Sequence, residues 1–171
     1  MGITMGDALT VMGLFAGLGL SSWAAMIVAA LLFPSRAEVA QAAIVKPGRT
    51  VGLGLATGFV GIGFSLVLLS VPQPLAKLIG FAGLGTMLCI AAVGGAGLSR
   101  LLMTRIHAID PSWGPFPSLA RASTLVVLMG LLPIIGWFLL GPAMFVLMIG
   151  AGTRSLFRGK PAAQATAPPV Y

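Results

Sequence analysis

Read for polarity alone, the chain divides into four long apolar blocks separated by short polar ones. Residues 8–35, 50–76, 78–99 and 122–153 contain no Asp, Glu, Lys or Arg. Each block exceeds the roughly 18 apolar residues at which a membrane span is the default reading. The pattern predicts an all-α membrane protein, a helical bundle of four or five transmembrane segments. The spans fall at about 7–33, 50–71, 75–102, 119–132 and 137–153. Residues 1–158 form the bundle, and 159–171, rich in Ala and Pro with nothing to bury, are expected as a flexible tail.

The polar punctuation sets the connections. Pro34 stops the first span, and Ser35 followed by Glu38 reads as a capping box that opens a short membrane-surface helix over 36–45. Lys46-Pro47-Gly48-Arg49 ends it. Pro72-Gln73-Pro74 is a tight turn, which makes the second and third spans antiparallel neighbours. Residues 104–117 carry Asp110-Pro111 and Trp113-Gly114-Pro115 and read as irregular, with Trp113 and Phe116 as interfacial anchors. The first block lacks a basic leading region and a small-residue cleavage site, so it reads as a retained span.

Composition removes the soluble alternative, since 58% of the 171 residues are hydrophobic and only 8% charged, against roughly 25% charged in soluble domains. Length leaves no room for a separate soluble domain. The net charge of +7 would suggest nucleic acid in a soluble chain. Here the cations stand between spans, so their partners are a bilayer with anionic head groups and no nucleic acid. They also arbitrate topology. If 122–153 crossed once, Arg36, Lys46, Arg49, Arg100, Arg105 and Arg121 would lie opposite Arg154, Arg158 and Lys160. A hairpin gathers all nine on one face and leaves Lys77 on the other.

Pro133, Gly136, Gly141 and Pro142 supply the punctuation for that reversal. The last block is therefore predicted as a broken or re-entrant hairpin with its tip near 133–136. The N-terminus is then outside and the C-terminus cytoplasmic. One long kinked helix with the tail outside is the alternative.

Catalytic chemistry is scarce. The only carboxylates are Asp7, Glu38 and Asp110 and the only histidine is His107, all expected outside the hydrocarbon. No enzyme is expected, and no metal or cofactor. His107 reads as a solvated side chain, with haem or chlorophyll ligation at an interface as the competing reading. Cys89, the one cysteine, reads as a packing residue or a palmitoylation site. No span holds a carboxylate or a basic group of the kind that marks ion-coupled transport.

The positive signal is 24 glycines concentrated in the spans. In lipid, helices associate through close contact that small residues allow. Gly13 with Gly17, and Gly54 with Gly58, form GxxxG pairs, and Ala91 lies four residues before Gly95. One reading is internal packing of a compact bundle. The other is that the first span, with its own GxxxG and no tight turn to the second, docks on another subunit. Trp23, near the middle of that span, suits such a contact or a pigment or lipid surface.

Leu31-Leu32-Phe33-Pro34-Ser35-Arg36, then Lys46-Pro47-Gly48-Arg49-Thr50 with Gly52-Leu53-Gly54-Leu55, and finally Pro133-Ile134-Ile135-Gly136-Trp137 together resemble a bacterial polytopic membrane module. That module is found alone or fused to bactofilin-like polymer-forming proteins. The resemblance spans residues 31–151 and implies architecture and a bacterial cytoplasmic membrane. No β-helical domain accompanies it in these residues, so no cytoskeletal role follows. The expected function is a non-catalytic integral membrane subunit whose partners are other membrane protein subunits. Photosynthetic and respiratory complexes are settings in which such subunits occur. A small channel or carrier using the broken hairpin is the alternative.

Overall fold

The computed structural model describes residues 5–132 and 134–157. Pro133, Arg158, Lys160 and the expected tail lie outside the described residues. Among the described residues six α-helices follow one another: α1 (Met5–Leu32), α2 (Pro34–Ile44), α3 (Pro47–Ser70), α4 (Pro74–Ile109), α5 (Pro115–Leu131) and α6 (Gly141–Phe157). A five-residue π-helical turn, Gly136–Leu140, precedes α6. Pro34, Pro47, Pro74 and Pro115 each open a helix, where a missing N–H costs nothing because first-turn donors have no intrahelical partner. Among the described residues four segments are long and apolar enough to cross a membrane: Leu9–Leu32, Pro47–Ser70, Pro74–Ile109 and Gly136–Phe157. The protein is an integral membrane helical bundle.

Contacts along the helices fix their directions. Positions Gly61 and Gly80 of the α3–α4 hairpin approach Met87 and Leu69 respectively, as antiparallel neighbours around a tight turn require. On α1, Phe15 stacks on Trp137 with ring centroids 4.7 Å apart. Further along, Gly19 faces Leu131 and Val127, and the Trp23 indole N–H donates to the Ala120 carbonyl at 3.3 Å. Ascending numbers on α1 thus meet descending numbers on α5. Met26 and Met148 both reach the face of Gly95, so α6 runs with α1 and against α5. The last apolar block is a broken hairpin.

Its tip has two unusual features. Ile134 has φ of +67°, a left-handed conformation that a β-branched residue rarely adopts. The π-helical turn then carries the Gly141 N–H back to the Gly136 carbonyl. Gly136 is buried, and a Cβ there would lie 2.6 Å from the Met129 carbonyl oxygen. Only a bare backbone fits where the returning chain crosses the end of α5.

The second half of α6 is the centre of the bundle. A Cβ on Gly54 would overlap the Val146 carbonyl, and one on Gly150 would overlap that of Thr50. The same reciprocity joins α4 and α6: Gly94 meets the Met148 carbonyl and Gly152 that of Ile90. Between the two glycines, Ala151 is fully buried and clusters with Ala40, Ala43 and Ile44 of α2. Three consecutive residues, Gly150-Ala151-Gly152, therefore face three different helices.

One connection differs in character from the sequence reading. Residues 104–109, read as irregular, continue α4, whose 36 residues reach about 54 Å at 1.5 Å per residue. A carbonyl ladder already running through Arg100 and Leu101 continues until Pro111 disfavours helix at Asp110. The short helix read as a surface element is α2; one face of it packs inward, with Ala37 and Ala40 0% exposed against α4 and α6, while Pro34, Ser35, Glu38 and Ala42 are exposed. Its alanines at 37, 40 and 43 form a narrow face that larger residues would hold off. The capping box is absent, because Phe33 occupies the cap position without a side-chain bond and Glu38 pairs with Arg100 at 3.2 Å.

The packing predicts a sharp contrast among glycines. Gly150→Leu is expected to lower stability by about 3 kcal/mol or more, because backbone itself must move. Gly17→Leu, at a position with nothing within 4 Å of the added Cβ, is expected to leave it unchanged. Thermal unfolding in detergent followed by circular dichroism checks both.

Candidate functional site

One end of the bundle collects the C-termini of α1, α4 and α6 and the N-termini of α3 and α5. The basic residues assemble there by specific bonds. Arg36 of α2 donates to the carbonyls of Ser155 and, at 3.2 Å, Leu156. The last carbonyls of a helix have no partner of their own and carry the negative end of its dipole, so a guanidinium satisfies both needs. Arg100 of α4 donates to the Pro34 carbonyl at 2.8 Å as well as to Glu38. Arg154 of α6 donates to the Thr50 hydroxyl at 3.0 Å, and Thr50 in turn donates to the Ala43 carbonyl at 2.6 Å. These bonds tie α2 to α6, α4 to α2, and α6 to α3 at the same end.

The α4–α5 connection has its own small network. Asp110 accepts from the Ser112 backbone N–H at 3.1 Å and from the Trp113 indole at 2.6 Å. The Arg121 guanidinium lies 3.2 Å above the Trp113 ring, within cation–π range. Hydrogen bonds from Ser112, then from Trp113, with the Arg121 charge adding to them, hold the Asp110 carboxyl below its ordinary range. Lys46, Arg49 and Arg105 are exposed at this end, and Lys77 is exposed at the other.

The small residues singled out in sequence separate into two groups. Gly54, Gly58, Ala91 and Gly95 are buried inside the bundle, Gly58 against Ile149 and Gly95 against Met26. Gly13 and Gly17 are exposed with open space around them. Trp23 is half-buried against α5, so its polar atom is engaged within the chain. At the hairpin, Gly136 and Gly141 are packed and Pro142 is exposed.

His107 is exposed on the last turn of α4, and Cys89 is exposed along the same helix. Among the described residues no three His, Cys, Asp or Glu side chains come together. A groove of about 440 Å³ opens between α1, α5 and α6, lined by Phe15, Met26, Trp137, Met144 and Met148 with the Ser22 hydroxyl among them. Sequence reading missed the central place of α6 and the buried alanine face of α2. The signals present were the Gly150-Ala151-Gly152 run and the alanine face of α2.

Comparison with family models, with curated proteins and with solved structures finds no match. Class rests on the fold alone: a small polytopic membrane bundle with one basic end.

Arg36→Gln is expected to cost about 1.5–3 kcal/mol, the range for a hydrogen bond to a charged group, whereas Arg105→Gln at an exposed site is expected to change stability by less than about 0.5 kcal/mol. Chemical unfolding in detergent separates them. The Asp110 turn gives a pH prediction. Its folded pKa is depressed below the ordinary 3.8, so its contribution is present above that value and is lost as pH falls through the lower folded pKa. The Trp113 indole N–H resonance should hold its position down to about pH 4 and shift only below it. Asp110→Asn should remove that transition.

Proposed function

We propose that the chain is a non-catalytic integral membrane subunit that packs into and stabilises a larger membrane protein complex. The observation that carries this reading is the uneven use of its small residues. Gly54, Gly94, Gly150 and Gly152 are consumed by internal backbone contacts, while Gly13 and Gly17 on α1 face outward with nothing within 4 Å. Around them Leu9, Val11, Met12 and Leu14 are exposed and lie before the Phe15–Trp137 stack. A GxxxG face that the bundle leaves open is suited to a second helix at close range.

The same reading sets the orientation. Arg36, Lys46, Arg49, Arg100, Arg105, Arg121 and Arg154 lie at the end we assign to the cytoplasm by the positive-inside rule. The N-terminus is then outside and the C-terminus cytoplasmic, in a bacterial inner membrane as the resemblance to the bactofilin-associated module implies. A channel or carrier built on the broken hairpin is the second reading, and the groove beside Trp137 favours it. That groove offers Ser22 as its hydroxyl, which suits an apolar ligand better than an ion.

The test is solubilisation of native membranes in mild detergent and identification of what co-purifies. A complex of fixed stoichiometry is expected, and Gly13→Leu with Gly17→Leu should release the chain from it without lowering its own unfolding temperature. Recovery of the chain only as a free monomer or homo-oligomer would overturn the subunit reading. Solute movement in liposomes by the purified chain would favour the carrier.

A further inference from the structure

Where the start of α3 meets the end of α6, Arg49, Leu53, Arg154 and Phe157 line a cavity of about 310 Å³. Its lining combines two guanidinium side chains with two apolar ones. Arg154 is fixed by Thr50, which is fully buried; that bond uses one of its five donors. Arg49 is exposed and makes no hydrogen bond or ion pair among the described residues. The carboxylates are placed elsewhere: Glu38 on Arg100, Asp110 in the α4–α5 turn, and Asp7 on α1.

The local field asks for an anion. The positive end of the α3 dipole lies here, with Lys46 immediately before the helix. Two of the carbonyls near the end of α6, those of Ser155 and Leu156, already accept from Arg36. Two arginines and a lysine thus gather at a helix N-terminus beside apolar surface, at the end of a membrane bundle.

We propose that this cavity binds the head group of an anionic phospholipid. Arg49 and Arg154 hold the phosphate oxygens, and Leu53 and Phe157 carry the glycerol and the first acyl carbons. Free phosphate shares the oxyanion chemistry but makes no use of Leu53 and Phe157, so the apolar wall favours the lipid. This inference is independent of the subunit reading, since a free monomer would keep the site.

The test uses the full chain, purified, stripped of lipid and offered an equimolar mixture of phosphatidylglycerol and phosphatidylcholine, with retained lipid read by native mass spectrometry. Phosphatidylglycerol should be retained preferentially at one per chain. Arg49→Gln should reduce retention about fivefold, the effect of one cation near an anionic surface, and adding Arg154→Gln should abolish it. Arg105→Gln, outside the cavity, should change nothing. Arg49 has no structural bond, so its variant folds and decides the matter even if the double variant does not. Equal loss in Arg49→Gln and Arg105→Gln, or no loss in Arg49→Gln, would overturn the site. Full displacement of the lipid by millimolar inorganic phosphate would overturn the lipid assignment in favour of a soluble anion.

Discussion

Everything in this bundle depends on backbone meeting backbone along α6. Lipid removes the hydrophobic force between helices, so association must come from close van der Waals contact over long faces. Gly54 with Gly150, and Gly94 with Gly152, bring three helices together at distances no side chain permits. Ala151 between them seats α2 in the remaining angle. The helix pairs elsewhere, α1 with α5 and α3 with α4, add to a frame that these contacts hold.

Polar groups follow the same geometry. Thr50, Thr153 and Ser155 are buried, and each hydroxyl donates to a carbonyl of its own helix or its neighbour. With no water to replace a lost partner, such groups must be satisfied within the protein. Toward the basic end the side chains lengthen, and arginines replace hydroxyls as the groups that reach from one helix to the next. Arg36 and Arg154 serve as helix ties first. The exposed Lys46, Arg49 and Arg105 are left to meet what lies outside the chain.

The apolar blocks and the reversal within 122–153 were legible because each rests on a simple rule: span length or the distribution of cations. The partners of the inner face of α2 were not, since a run of small residues between charged ones does not say which helices it packs against. The length of α4 was missed because Asp110-Pro111 is a stop signal, and the residues before it were grouped with the stop. Among the candidate partner residues, spacing identified GxxxG pairs but could not say which faced inward. That division depends on the path of α6, which no local pattern encodes. Trp23 shows the same limit, because its partner carbonyl at Ala120 is 97 residues away.

The helix at the centre, α6, is synthesised after the five helices that it joins. When α1 to α5 have left the ribosome, the slot between α3 and α4 is empty, and Gly54 and Gly94 face it with no partner. The bundle therefore cannot mature from its N-terminus forward. Its assembly is gated by the arrival of residues 141–157, and a chain interrupted before them is an open set of glycine-lined helices, the form that membrane chaperones and proteases would meet.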